Sequence, residues 1–314
     1  PIYRLPFKIV FLGLVVVLGW AVGTAMAVEG WVTDFAKAKE TAVKEKKDLL
    51  VNFTGSDWCP HCIKLRDNVF TQKGFLDTIP YKFVLVTLDF PKDDSKQSEA
   101  EKTQNQQLQE QYSVSGFPTI FMMDAQGKPF GMNVGYSNET AEEYAKNLLD
   151  QQANRVKRDE LMAKAGKAKG EEKAKLIDEA LSLLDEEIVM TYYQDQFPAI
   201  IEADKDNKAG LKEKYEGILR AEELAKKINA ILVPTQGDGE KMKEAIPKIS
   251  ALMTDKSSNA EKFQVLYYRS ILKYQTKDTT GAKADLEACL KVATDDEKSE
   301  QIKTILTRFF ADAE

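Results

Sequence analysis

The pattern of hydrophobic and polar positions changes along the chain near residue 153. Before that residue, short apolar runs alternate with amphipathic segments, which is typical of an α/β domain. An apolar run leads into the predicted strand at residues 49–53, and the run at residues 83–88 is nearly continuous and rich in β-branched residues, so both are predicted to be buried strands that run parallel to each other. Two further strands are predicted at residues 119–123 and 128–134, joined by a turn. Helices are predicted at residues 31–47, 59–70 and 138–149.

After residue 153, apolar residues recur at helical spacing and no strand pattern is found. Prolines and glycines separate the helical segments, which predicts about six to eight helices in antiparallel pairs. Residues 267–293 resemble a tetratricopeptide helical hairpin, although no regular repeat period is found. An all-α domain of helical hairpins is therefore expected at residues 153–314.

The N-terminal segment has the pattern of a secretory signal peptide. Two basic residues precede an apolar run at residues 9–22, and small residues follow it, with Ala25 and Ala27 in Ala-x-Ala spacing. Cleavage is expected after Ala27, which makes residues 1–27 the signal peptide and places the mature protein in the periplasm or outside the cell. The alternative is an uncleaved anchor that holds the protein in the membrane, facing the periplasm, because the run approaches the ~20 residues that span a bilayer.

Charge and residue counts exclude several classes of function. Lys and Arg number 44 against 50 Asp and Glu, and this net charge of −6 offers no basic excess for nucleic acid. His61 is the one histidine of the sequence, so a histidine-based catalytic triad or zinc site elsewhere is excluded. The three cysteines are too few for a disulfide framework, so stability must come from packing.

The sequence Trp-Cys-Pro-His-Cys at residues 58–62 lies between a predicted strand and a predicted helix. A Cys-x-x-Cys pair at such a junction is typical of redox-active dithiols. The helix N-terminus stabilises a thiolate at Cys59, which is expected to be exposed, whereas Cys62 lies one turn on and is expected to point inward. The chain lacks a second Cys/His pair to complete a zinc site. Thiol–disulfide exchange without a cofactor or metal is therefore the expected chemistry.

This motif resembles that of the thioredoxin superfamily, and the residues leading into it resemble the secreted bacterial members. A second motif, Gly-Phe-Pro-Thr-Ile at residues 116–120, is similar to the superfamily's cis-proline loop, with Pro118 in the proline position. The resemblance covers residues 28–152. It implies an α/β thioredoxin-like domain, with a central mixed sheet flanked by helices, ahead of the helical domain. It also implies a redox-active disulfide between Cys59 and Cys62.

The resemblance further implies roles for the residues around the dithiol. Cys59 forms the mixed disulfide with the substrate, and Cys62 resolves it. Pro118 faces the dithiol, and backbone groups beside it pair with the substrate, so Phe117 and Thr119 are expected to flank that contact. Trp58 is expected to bind substrate as well. Residues 91–105 are charged and glutamine-rich, and they are an insertion relative to simple thioredoxins, predicted to be a loop running into a helix that ends near Tyr112.

The residues between the cysteines, Pro60 and His61, are similar to those of DsbA-type oxidases. A positive imidazolium near Cys59 would stabilise the thiolate, favour the reduced protein and make the protein an oxidant. The alternative is that His61 is simply a solvated turn residue. Asn52 departs from the family, since it stands where thioredoxins have a buried carboxylate. Asn52 cannot titrate, so the sequence does not identify the group that takes the proton from Cys62.

Together these features predict an exported thiol–disulfide oxidoreductase that acts on protein thiols and disulfides, favouring oxidation or isomerisation. One alternative is a thioredoxin-like reductase fed by a membrane electron donor. Another is a helical protein-binding adaptor with a regulatory or redox-silent thioredoxin fold. The expected partners are exported substrate proteins, a redox partner protein and a protein partner for the helical domain, with membrane contact if the N-terminal segment is uncleaved. Cys289 lies on an apolar helix face and is expected to be buried and inert.

Overall fold

The computed structural model describes residues 30–235 and 237–310, so the predicted signal peptide lies outside the described residues. The described chain divides into two units. One comprises the residues up to Val156 together with Leu184–Ile188, and the other comprises Lys157–Leu183 and the residues from Val189 onward. The predicted boundary between residues 152 and 153 falls inside one continuous helix, α5, which spans Ala141–Ala165.

Over the described residues, the first unit is built around a five-stranded mixed sheet of order β1-β3-β2-β4-β5. Strand β3 is parallel to both β1 and β2, whereas β4 is antiparallel to β2 and to β5. The strands span Trp31–Val32 (β1), Asp48–Thr54 (β2), Phe83–Asp89 (β3), Thr119–Met123 (β4) and Pro129–Val134 (β5).

Strand β2 is buried along its whole length, which explains its nearly continuous apolar sequence. Its neighbour β3 runs parallel to it, as predicted. On the other side, the antiparallel register places Phe53 opposite Thr119. The end of β2 therefore lies beside the beginning of β4, and this brings the loop that follows β2 next to the loop that precedes β4.

The helices of the first unit differ from the sequence prediction at several ends. The first helix begins at Phe35 rather than at residue 31, because Trp31 and Val32 join the sheet as β1, and Asp34 caps it by accepting a hydrogen bond from the Lys37 amide at 3.0 Å. Helix α5 was predicted to end at Leu149, but it continues to Ala165, and Gly166 follows it. The helices span Phe35–Glu45 (α1), Pro60–Leu65 (α2), Lys73–Leu76 (α3), Glu99–Gln111 (α4) and Ala141–Ala165 (α5), and a π-helical turn at Arg66–Phe70 follows α2.

The chain after α5 is mostly helical in its described part, and this confirms the predicted fold class. Eight α-helices follow α5 among the described residues, within the predicted range. They span Gly170–Leu181 (α6), Glu186–Tyr192 (α7), Phe197–Ala203 (α8), Leu211–Leu232 (α9), Gly239–Ser250 (α10), Asn259–Gln275 (α11), Thr279–Val292 (α12) and Asp296–Phe310 (α13). None of the helices in the described ranges is long and apolar enough to cross a bilayer. Whether these hairpins form a tetratricopeptide-like repeat stays a prediction.

Apolar clusters fill the interior of this second unit. One of them contains Ile228, Ile249 and Val265, all fully buried. Another contains Cys289, which is fully buried as expected. Burial, together with the nearby Asp285 carboxylate, raises the pKa of the Cys289 thiol to about 12. A thiol held in this neutral form is a packing residue rather than a nucleophile.

Candidate active site

Cys59 and Cys62 form a disulfide at the N-terminus of α2, with their Cα atoms 5.3 Å apart. Cys59 is the N-cap residue, and its sulfur accepts a hydrogen bond from the Cys62 amide at 3.2 Å. Pro60 occupies the first helical position, where its missing N–H costs nothing and its fixed φ suits the helix. The motif therefore supplies both its reactive sulfurs and the turn that holds them together.

Both cysteines are nearly covered in the oxidised protein, and this corrects the expectation that Cys59 is exposed. Cys59 is 5% exposed and Cys62 is 4% exposed. The sulfur of Cys59 lies 3.6 Å from the carbonyl oxygen of Phe117, in the loop that precedes β4. A loop from elsewhere in the sequence thus lies against the sulfur, which the local motif could not reveal. Cys62 points inward, as predicted.

The loop beside the disulfide has the predicted cis bond between Phe117 and Pro118. Pro118 is buried, and its carbonyl oxygen accepts a hydrogen bond from the Gly135 amide at 2.8 Å. Thr119 is 3% exposed, and its hydroxyl donates to the Gly116 carbonyl at 2.9 Å. The Thr119 side chain therefore fixes the loop from within, whereas the half-buried Phe117 ring remains available to a substrate.

Trp58 is held in one position although it is 39% exposed. Its indole N–H donates to the Phe90 carbonyl at 2.7 Å, and its ring packs edge-on against Phe117 with centres 6.0 Å apart. The ring also lies directly over Gly55, where an added Cβ would come within 2.6 Å of the indole Cε2. Glycine at position 55 thus makes room for the predicted substrate-binding tryptophan.

Sequence reasoning missed the contribution of the residues that follow β3. Asp57 accepts hydrogen bonds from the backbone amides of Lys92 at 2.9 Å and Asp93 at 3.3 Å, and from the Lys96 ammonium at 3.0 Å. These bonds, led by the one from Lys92, lower the pKa of Asp57 to about 2. The inserted segment is therefore tied to the active-site loop. The acidic residue directly before Trp58 is the one sequence signal for this arrangement.

His61 and Pro60 lie exposed on the first turn of α2. The imidazole shares its helical turn with both cysteines, as the motif predicts. His61 and the two cysteines are also the natural metal ligands of the motif, but the disulfide occupies both sulfurs. In the described ranges, His, Cys, Asp and Glu side chains form no group of three or more that could hold a metal ion.

Asn52 is buried in β2, paired with Thr87 on one side and Ile120 on the other. Within the described part of the chain, its side-chain Oδ1 has no hydrogen-bond partner. A buried amide oxygen of this kind is a suitable acceptor for an ordered water. An amide at this buried position cannot take up a proton, so the group that receives the proton of Cys62 is not Asn52.

The fold, the dithiol and the proline loop together define a thioredoxin-like domain. Residues 35–153 match the family described as thioredoxin-like domain, which confirms the resemblance seen in the sequence. This match covers strands β2 to β5, the disulfide and the loop before β4.

Two curated relatives come from Chlamydia pneumoniae. The chain is 37% identical over 94 residues to Disulfide bond reductase DsbH, covering 30% of this chain and 56% of the relative. It is 27% identical over 135 residues to Thioredoxin-related protein DsbJ, covering 43% of this chain and 37% of the relative. The chain thus spans about half the length of these relatives, or less.

Two solved structures are also similar. A chain described as DsbH Oxidoreductase is 29% identical, with 43% of this chain and 92% of that chain covered and a TM-score of 0.38. The C-terminal domain of Neisseria meningitidis DsbD in the oxidised form is 16% identical, with 37% and 90% covered and a TM-score of 0.29.

Proposed function

We propose that the protein is a thiol–disulfide oxidoreductase that acts on protein thiols and disulfides through Cys59 and Cys62. The observation that carries the proposal is the placement of the Cys59 sulfur. It caps a helix, is bonded to Cys62, and lies 3.6 Å from the carbonyl oxygen of Phe117 in the proline loop. The dithiol is thus placed where a substrate chain lying along that loop would meet Cys59 first.

In the reductive direction, the Cys59 thiolate attacks one sulfur of a substrate disulfide. The substrate S–S bond breaks, one substrate sulfur leaves as a thiolate, and a mixed disulfide joins Cys59 to the other. Deprotonated Cys62 then attacks the Cys59 sulfur, forms the observed disulfide and releases the second substrate thiolate. The substrate gains two electrons and two protons, and the protein loses the same. Oxidation of a substrate is the same sequence reversed.

The geometry favours Cys59 as the residue that meets the substrate. A thiolate at this N-cap accepts hydrogen bonds from the first turn of α2, where the Cys62 amide already lies 3.2 Å from the sulfur. Cys62 lies one turn further into the helix and is buried beneath it. Cys62 is therefore placed to resolve the mixed disulfide rather than to form it.

We propose reduction as the first candidate direction, since the relative named Disulfide bond reductase DsbH shares 37% identity over 94 residues. This direction requires a dithiol partner protein that returns two electrons to the disulfide after each cycle. Oxidation or isomerisation is the second candidate, because His61 lies between the cysteines, as in DsbA-type oxidases. The reduction potential separates the two: about −270 mV is typical of thioredoxin and about −120 mV of DsbA.

The proposal is tested by insulin reduction coupled to dithiothreitol. Wild-type protein and a Cys289→Ser control should both turn over, because Cys289 is buried in the second unit. Cys59→Ser should abolish turnover, and Cys62→Ser should accumulate mixed disulfides that gels without reductant detect. Trapping through Cys62 in the Cys59→Ser variant would reverse the assigned roles. No turnover by wild type would favour the redox-silent adaptor instead.

We propose further that the protein is exported, so that its substrates are proteins outside the cytoplasm, and that the helical part binds a protein partner. The Ala-x-Ala pattern ending at Ala27 supports export. N-terminal sequencing of protein from the native host tests it. A mature N-terminus at Val28 is the expected result, and recovery of full-length protein in the membrane fraction would favour the anchored form.

A further inference from the structure

Three aromatic rings form a surface beside the disulfide, here called the aromatic shelf: Trp58, Phe90 and Phe117. The rings of Phe90 and Phe117 stack with centres 4.9 Å apart and an angle of 26° between them. Trp58 meets Phe117 edge-on at 6.0 Å. Trp58 is exposed and the other two rings are half-buried, so the shelf presents apolar surface to an incoming molecule.

Phe90 belongs to a segment of residues 90–96, which includes the start of the insertion at residues 91–105, and Asp57 fastens this segment. Both carboxylate oxygens of Asp57 are engaged by this segment, one by the Lys92 amide and the other by the Asp93 amide and the Lys96 ammonium. The segment in turn fixes the tryptophan, because the Phe90 carbonyl accepts the indole hydrogen bond at 2.7 Å. Asp57 therefore holds the shelf together without being part of it.

The shelf is adjacent to the reactive sulfur. Trp58 directly precedes Cys59, and the Phe117 carbonyl oxygen lies 3.6 Å from the Cys59 sulfur. A Cβ built on Gly116 would meet nothing within 4 Å, so the space beside the loop is open. A substrate bonded to Cys59 is confined to this region, and each residue of an extended chain spans ~3.3–3.6 Å. The residues next to the substrate cysteine are therefore within reach of the shelf.

We propose that Asp57 and Phe90 determine specificity: the shelf selects substrates that carry an aromatic or large aliphatic side chain next to the reactive cysteine. This inference rests on the proposed thiol–disulfide exchange. Phe90 acts by direct contact with that side chain. Asp57 is a positioning residue, which acts by holding residues 90–96 so that the indole and the two phenyl rings share one surface.

The test uses two synthetic peptides with one disulfide each, identical except for Phe or Ser next to the reactive cysteine. Rates of reaction with the reduced protein are measured by stopped-flow tryptophan fluorescence. Wild type should react about tenfold faster with the Phe peptide. Tenfold corresponds to about 1.4 kcal/mol, or roughly half of what complete burial of a large apolar side chain provides.

The variants are compared by the ratio of the two rates, so that each protein is its own reference. Asp57→Asn and Phe90→Ala should each lower the ratio to about threefold or less. Phe90→Leu keeps apolar packing in case the alanine variant fails to fold, and it should give an intermediate ratio. Asp67→Asn is the matched control, because this exposed acid pairs with Arg66 away from the shelf, and its ratio should equal that of wild type.

Hydroxyethyl disulfide, which has no flanking residues, separates the two levels of the proposal. Wild type that fails to react with it would overturn the proposed exchange chemistry itself. Wild type that reacts with it but equally fast with both peptides would overturn the shelf alone. An unchanged ratio in Asp57→Asn, with the ratio lost in Phe90→Leu, would refute the positioning role of Asp57.

Discussion

The substitution His61→Ala tests whether the imidazole sets the direction of the reaction. His61 is exposed on the same helical turn as the disulfide. A positive charge there stabilises a thiolate at Cys59 but not the disulfide, so it favours the reduced protein. Its removal should therefore make the reduction potential more negative.

The exposure of His61 limits the size of this effect. Two unit charges about 4 Å apart in water interact by about 1 kcal/mol. For a two-electron couple, about 1.4 kcal/mol corresponds to about 30 mV, so an interaction of the strength found in water shifts the potential by about 20 mV. The potentials of thioredoxin and DsbA differ by about 150 mV. His61 alone therefore cannot convert a reductase into an oxidase in this site.

The assay is a redox equilibrium with glutathione, followed by tryptophan fluorescence, at low and at high ionic strength. The shift should be largest at low ionic strength and should weaken as salt is added, because salt screens the charge. His61→Lys should restore the wild-type potential. A shift above about 60 mV would refute the limit drawn from exposure. Identical potentials for His61→Ala and wild type at low ionic strength would refute the role of the charge.

Two further outcomes follow from the pKa shifts. The hydrogen bonds to Asp57 lower its pKa from 3.8 to about 2. Their stabilisation of the active-site loop is therefore complete above about pH 4 and is lost as the pH falls through about 2. Tryptophan fluorescence should report this acid transition in wild type but not in Asp57→Asn. The pKa of Cys289 is raised to about 12, so the native, oxidised protein should resist iodoacetamide at pH 8. After unfolding, Cys289 should react, and mass spectrometry would detect the label. Labelling of Cys289 in the native protein would contradict its burial.

The parts of the fold that follow from local pattern could be predicted from the sequence. The buried runs became β2 and β3, residues 119–123 became β4, and the cysteines took the predicted strand-to-helix junction. Two-residue β1 could not be separated from the helix that follows it, because two positions show no periodicity. Helix α5 continued past its predicted end because residues 150–165 include no proline or glycine to stop it.

The parts of the site that depend on distant residues could not be predicted. Cys59 is covered by a loop from another strand, and its burial therefore depends on tertiary packing. The partners of Asp57 lie 35 to 39 residues away along the chain, in a segment whose composition indicated only a charged loop. The exposed position assigned to Cys59 was wrong for this reason, and Phe90 was missed.

The pairing of β2 with β4 also determines when the site comes into existence. The dithiol follows β2, whereas the proline loop precedes β4, and the antiparallel register between Phe53 and Thr119 brings the two together. A nascent chain that has emerged as far as residue 115 already carries both reactive cysteines but not the loop that covers Cys59. The thiols are therefore unshielded until β4 has emerged and paired with β2.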